Sequence, residues 1–266
     1  MATGGPRMIG NVITWLNDPS HWRGTGTTDG IVTQLERHIS YVGIALLIAM
    51  LIAVPLGLLI GHTGRGGSAV SLANAIRSIP SIGLLILLVV IISPHFHGRT
   101  QAGFIIPTEI VLMLLAVPPI LAGTYAGVEN VDPAVRDAAY GMGMKGGQVL
   151  LKVELPNSLP LVISGVRSAA LQLIATATIA SFVPLGGLGR FIYDGLAQRD
   201  FPQMIGGGVL VALLALLVDL LLAAIQRILV SPGVSGRFSK RADRRRGAAG
   251  EADSRVAAVD EAGVTV

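Results

Sequence analysis

The sequence predicts an all-α polytopic membrane protein, with about five transmembrane helices and a helix–turn–helix loop on the cytoplasmic side. Three observations lead there. The chain is 52% hydrophobic and only 14% charged, against about 25% charged in soluble domains, so it lacks the polar groups to cover a water-facing surface. Its mean hydropathy is +0.67, and glycine stands at 34 of 266 residues, a usage more frequent in membrane helices than in soluble ones. Its apolar residues are gathered into five continuous runs of about the 20 residues a hydrocarbon core requires. β-Barrel strands would instead alternate over about ten residues.

Taken in order, residues 1–38 read as an external N-terminal leader. Within it "RMIGNVITWLND" sets Ile9, Val12, Ile13 and Leu16 at helical spacing beside Trp15, and the pattern leaves an interfacial helix and a loosely ordered leader both open. The first long apolar run begins near Ile39, too late for a secretory signal. Residues 39–230 form the transmembrane domain. Run one spans Ile39 to Gly61 and run two about Ser68 to Ile92. Run three covers about Phe104 to Ala126, run four Leu159 to Val183 and run five Met204 to Leu229. Run two reads as one kinked helix or as two short ones, because Pro80 lacks a backbone donor and biases Ile79 away from helical geometry. Residues 231–266 are a polar, basic tail expected to be disordered.

Lysine and arginine set the expected orientation. Arg65, Arg136, Lys145, Lys152 and the tail "RFSKRADRRR" collect on one side; Arg99, Arg190, Arg199 and three N-terminal arginines remain on the other. Positive-inside bias then puts the N-terminus outside and the C-terminus in the cytoplasm. The same bias accounts for the pI of about 9.8 better than nucleic-acid binding does.

The loop of residues 127–157 is polar between two apolar runs. "NVDPAVRDAAYGMG" opens with Asp132 as an N-cap and Pro133 at the first helical position, where a missing N–H costs nothing. Gly141 and Gly143 supply a helix stop. "GGQVLLKVELP" starts a second arm carrying Val149, Leu150 and Val153, which is expected to end near Leu155 because Pro156 cannot continue the ladder. A rigid projection of this kind suits partner docking.

The spacing of this loop resembles the cytoplasmic signature of permease subunits of bacterial ATP-binding-cassette importers: Glu-Ala-Ala, three residues, Gly, nine residues, Ile, one residue, Leu-Pro. Here Asp137-Ala138-Ala139 is followed after three residues by Gly143, and after nine more by Val153, Glu154, Leu155 and Pro156. Every spacing matches, with Asp for Glu and Val for Ile. "AVPLGLLIGHTGRG", "AIRSIPSIGLL", "VPPILAGTYAGVENVDPAVRDAAYGMGM" and "PLGGLGRFIYDGL" are similar to the osmoprotectant branch, whose members carry glycine betaine, carnitine, choline or proline betaine. Methionine-importer permeases share a similar five-span plan and a similar break in the second span.

The resemblance implies the type I importer permease fold and a set of partners: a second permease subunit, identical or homologous, a cytoplasmic ATPase dimer, and an extracytoplasmic solute-binding protein. It assigns ATPase coupling to Asp137, Ala138, Ala139, Gly143, Val153, Leu155 and Pro156. Ala138 and Ala139 would allow close approach, Gly143 the turn, Leu155-Pro156 the exit into run four, and Asp137 a charge for the ATPase. The chain has no phosphate-cradling Gly-Lys loop of its own, so the expectation is a transport subunit and not an enzyme, without a cofactor.

Arg77, Glu109 and Asp219 fall within apolar runs, and Arg167 lies about two turns into run four. A charge there costs at least about 2.5 kcal/mol and needs a partner, a cavity or an interface. Asn74, Arg77, Ser78 and Pro80, around the break in run two, are the candidates for the translocation path, since irregular backbone survives in a membrane only when buried or lining water. Glu109 is expected to snorkel to the outer interface, and Asp219 to make a helix–helix or permease–permease contact. Aromatic faces cage quaternary ammonium groups, but Tyr125, Phe182 and Tyr193 look too scattered for that. "GGLGRF" reads as a tight turn between runs four and five, and His95 and His97 as incidental. There is no cysteine, which removes disulfides and thiolate metal sites, and no Ser, His and Asp set assembles. An ion-coupled secondary transporter using Glu109 and Asp219, and an intramembrane enzyme, are the rival classes.

Overall fold

A computed structural model describes residues 5–25, 28–96 and 101–230. The basic tail and His97 lie outside the described residues. Among those described, four helices are long and apolar enough to cross a membrane, and a bent pair makes a fifth where the two are counted as one span. They are α3 (Ile31–Thr63), the pair α4 (Gly67–Ile76) and α5 (Ser81–Ile92), α6 (Ala102–Glu129), the helix that ends as α9 (Leu155–Ala180), and α11 (Phe201–Leu229). Before them stand α1 (Gly5–Asn17), α2 (Pro19–Arg23) and a two-residue hairpin of β1 (Gly24–Thr25) with β2 (Thr28–Asp29). α7 (Pro133–Gly141) and α8 (Gly146–Val149) fill the loop before α9, and α10 (Gly189–Gln198) precedes α11.

α6 is the central column, packed chiefly on α3 and α9. Small residues allow the approach. On α3, Ala45, Ala49, Ala53, Gly57 and Gly61 recur every fourth position and are buried. A methyl group on Gly57 would lie 2.6 Å from Thr124 Cβ, and one on Gly61 2.7 Å from Val128 Cβ. The α6–α9 contact is backbone against backbone: a Cβ on Gly165 would meet the Pro119 carbonyl oxygen at 2.7 Å, and one on Gly123 the Leu161 oxygen at 2.8 Å. Without a hydrophobic force between helices in lipid, this backbone-to-backbone contact is what makes their association favourable. α11 is peripheral, exposing Leu213, Leu216, Leu217, Leu220 and Leu221.

Four features refine or correct the sequence reading. The first span begins at Ile31, eight residues before the apolar run itself, because Gln34 and His38 are buried and hydrogen-bonded. Run two is two helices bent by 83° at residues 77–80, where Pro80 precedes α5. The leader does form a helix: α1 buries Val12 and Trp15, and Trp15 sits where a side chain on Gly206 of α11 would collide with it at 2.5 Å. Pro156 does not end the second arm. Residues Gly146 to Ala180 run as one helix, and the chain accommodates the proline with a π-helical turn over Leu150–Glu154, in which the Leu155 N–H donates to the Leu150 carbonyl. A wider turn absorbs the missing Pro156 N–H at its edge.

At the end of the bundle opposite α7, three α3 side chains one helical turn apart hold the loop after α9. Gln34 Oε1 accepts from Gly187 N–H at 2.6 Å, His38 Nδ1 accepts from Leu188 N–H at 3.3 Å, and Tyr41 OH donates to the Leu185 carbonyl at 2.9 Å. Gly186 and Gly187 adopt φ of 86° and 97°, a left-handed region open to glycine without penalty. The tight turn read in "GGLGRF" is therefore present, followed by the extra helix α10.

Candidate functional site

α7 is built as its sequence indicates. The Asp132 carboxylate accepts the Ala134 N–H at 2.9 Å, and Pro133 occupies the first turn. The helix closes at Gly143, whose φ is 84°; Gly143 N–H donates to Tyr140 O at 2.9 Å and Met144 N–H to Ala139 O at 3.1 Å, the two hydrogen bonds of a glycine C-terminal motif. The second arm starts with the Gln148 side chain accepting Lys145 N–H at 2.9 Å.

The two faces of α7 differ. Ala139 is buried and Arg136 half-buried, three residues apart on the inner side. Val135, Ala138, Tyr140 and Met142 are exposed, Met142 at 72%. Asp137 is also exposed and forms no ion pair among the described residues. On the second arm Val153 and Leu155 are partly buried, and Pro156 is exposed. Of the seven predicted residues the structure thus divides Asp137 and Ala138, which face outward, from Ala139, which anchors the helix.

Behind α7 lies a cluster that sequence reading missed. Glu154 has only 3% of its side chain exposed, yet it is a carboxylate. Its Oε2 is 2.6 Å from His62 Nδ1 at the end of α3, and its Oε1 is 2.8 Å from Arg136 Nε on α7. Arg136 also donates through a terminal nitrogen to the Val128 carbonyl of α6. One acid therefore ties together α3, α6, α7 and the entry to α9. The π-helical turn puts it there: Val149 and Glu154 are five residues apart, a spacing that diverges in an α-helix but shares a side in the wider turn, and both are buried.

Residues 45–231 match the family described as the inner membrane component of binding-protein-dependent transport systems. The chain belongs to this family. Relatives in Bacillus subtilis (strain 168) include the glycine betaine/carnitine/choline transport system permease protein OpuCB, 31% identical over 200 residues covering 75% of this chain and 88% of the relative, and the choline transport system permease protein OpuBB, 33% identical over 198 residues covering 74% and 87%. The osmoprotectant import permease protein OsmY of Salmonella typhimurium (strain LT2) is 34% identical over 191 residues, covering 71% and 77%. Among solved structures, the inward-facing MetNI methionine ABC transporter superposes with a TM-score of 0.65 at 21% identity, covering 76% of this chain and 96% of that one. At that identity it shows the fold alone. The protein is thus a multi-pass inner-membrane permease subunit of the osmoprotectant branch of ABC importers, and not an enzyme.

The four charges of the apolar runs now have places. Arg167 of α9 and Asp219 of α11 form a two-point ion pair, with an Arg167 terminal nitrogen 2.5 Å from Asp219 Oδ2. Of the two contacts expected of Asp219 the helix–helix one is present, and its partner, Arg167, is another of the four charges in the apolar runs. Glu109 does not snorkel: both carboxyl oxygens are buried and lack a hydrogen-bond partner among the described residues. Asn74, Arg77, Ser78 and Pro80 are all exposed at the α4–α5 break, where Arg77 donates to Gln172 Oε1 at 3.2 Å. Phe182 and Tyr193 do meet, edge to face at 5.7 Å, while Tyr125 lies at the other end and donates to Glu129 at 2.7 Å. A cavity of about 640 Å³ opens beside the leader, lined by Trp15, His21, Asp29, Gln34, Arg190 and Asp194. No group of three or more metal-binding side chains occurs among the described residues.

Proposed function

We propose that this permease carries a compatible solute such as glycine betaine, choline, carnitine or proline betaine into the cytoplasm, powered by a separate ATPase dimer that docks on α7. The observation that supports the reading is the seven-position motif, whose Asp137, Ala138 and Ala139 stand on a capped helix stopped at Gly143 with an exposed outer face and an anchored inner face, and whose Val153, Leu155 and Pro156 lie on the arm behind it. The names of the relatives supply the solute class. A second permease subunit, identical or homologous, completes the pore, and an extracytoplasmic solute-binding protein delivers the cargo. High-affinity recognition belongs to that protein, and the permease offers a low-affinity path along Asn74, Arg77, Ser78 and Pro80. The end bearing α7 faces the cytoplasm, so the N-terminus is external.

In this mechanism ATP closes the ATPase dimer, α7 follows, and the helices tied to it change the cavity from inward- to outward-facing. Asp137 offers the ATPase a charge, Ala138 lets it approach, and Gly143 fixes the angle between the arms. Competition uptake with labelled betaine, carnitine, choline and methionine, in a strain lacking its own importers, tests the cargo. Uptake blocked by methionine and by none of the other three would replace the osmoprotectant reading with a methionine one. Uptake by the chain without an ATPase would overturn the coupling scheme itself.

A further inference from the structure

We infer that Glu154 is the positioning residue that makes α7 and the membrane helices one mechanical unit. The inference deepens the docking role proposed for α7 and rests on it.

α7 is only nine residues long and is joined to the bundle by short segments at each end. Its anchored face is small: Ala139 packs, and Arg136 reaches inward. A push on the exposed face is transmitted only as far as the contacts behind it are stiff. Those contacts converge on Glu154, which holds Arg136 of α7 through one oxygen and His62 of α3 through the other, 2.8 and 2.6 Å away. Arg136 simultaneously binds the last turn of α6 through Val128 O. A planar guanidinium hydrogen-bonded to one helix and ion-paired to the next resists rotation in a way a single apolar contact does not. The second arm closes the arrangement, because His62 Nε2 lies 3.3 Å from where a Cβ on Gly146 would stand. Low exposure strengthens each of these interactions and makes an unpaired member costly. The cluster therefore favours a single geometry of α7 relative to α3, α6 and α9. Nothing in the seven-position motif requires Glu154, which occupies its one unspecified position between Val153 and Leu155.

The test uses the assembled transporter in proteoliposomes, with its ATPase, its binding protein and radiolabelled glycine betaine. The chain contains no cysteine, so nitroxide labels at Thr63→Cys on α3 and Val135→Cys on α7, both exposed, report the distance between these helices in the permease before the ATPase is added, and uptake is read on the unlabelled chain. Glu154→Gln is expected to broaden that distance distribution and to lower the solute moved per ATP hydrolysed at least about fivefold, in line with coupling energies of 1–3 kcal/mol, while the complex still co-purifies. Arg136→Gln gives the same phenotype, and the double variant is no worse than either single one, as members of one network behave. A narrow distribution with normal stoichiometry in Glu154→Gln overturns the assignment. If Glu154→Gln does not assemble, Arg136→Gln decides: normal stoichiometry there, or failure of both to assemble, reduces the cluster to a folding element. Absence of ATP-driven uptake in the unmodified complex would instead refute the docking reading and would be seen before any variant is made.

Discussion

At the scale of single residues, two charge arrangements and one glycine of this permease have different consequences. Glu154 is enclosed and doubly partnered, so removing Arg136 leaves a carboxylate with 3% exposure facing only an imidazole. Breaking a buried pair from one side costs about 3 kcal/mol, and Arg136→Met should lower the thermal midpoint of the purified protein measurably in a detergent melting scan. Arg167 and Asp219 pair across two spans, so each single neutral substitution strands a charge at membrane depth. Arg167→Met and Asp219→Leu should each reduce the yield of folded protein, and combining them should restore it; a double variant worse than both singles would refute the pairing. Gly143 has no atom near the position of a Cβ, so substitution there acts through backbone conformation alone. Gly143→Ala should cost about 1–2 kcal/mol of local stability and reduce ATP-coupled uptake while membrane insertion, read by carbonate extraction, is retained.

At the scale of elements, the helix contacts are set by missing side chains as much as by present ones. The α6–α9 seam brings Gly123 and Gly165 together, with the Pro119 carbonyl 2.7 Å from a would-be Cβ on Gly165. Backbone cannot yield there, so Gly165→Ala is expected to destabilise by about 1–3 kcal/mol and to lower the melting temperature. Gly208 of α11, which has open space around it, is the control and should tolerate alanine. The π-helical turn before α9 is a second decision made by an element. It reconciles Pro156 with a continuous helix and, through the same extra width, turns Glu154 inward. Here two sequence features that look unrelated, a proline and a buried acid, have one structural cause.

At the scale of the whole molecule, the bundle has two differently built ends. One carries α7, α8 and the Glu154 cluster; the other carries the leader, the hairpin, α10 and the Gln34–His38–Tyr41 ladder that pins the α9–α10 loop. Each long span runs from one end to the other, so these ends lie on opposite sides of the membrane, and with the bent α4–α5 pair counted as one crossing the first span starts and the last finishes on opposite sides. With the α7 end in the cytoplasm, an impermeant maleimide added to intact cells should label Asn17→Cys and leave Thr63→Cys unlabelled, both positions being exposed. The reverse pattern would invert the topology.

Composition and run length alone determined that this chain is a helical membrane protein, because a hydrocarbon solvent admits few other arrangements of its backbone. Spacing alone placed α7, since the N-cap Asp132, Pro133 and the stop at Gly143 are local devices that act within a few residues of themselves. The seven-position motif was legible for the same reason. What the sequence could not determine was anything that depends on two distant segments meeting. Glu154 looked like a loop charge until α3 supplied His62 and α7 supplied Arg136; Arg167 and Asp219 were separate anomalies 52 positions apart; and Gly123 and Gly165 were ordinary glycines before α6 met α9. Pro156 was misread because a proline's local effect depends on whether the rest of the helix can widen around it. Local backbone preference is written in neighbouring residues, whereas burial and pairing are properties of the packed bundle, and only the tertiary structure decided them.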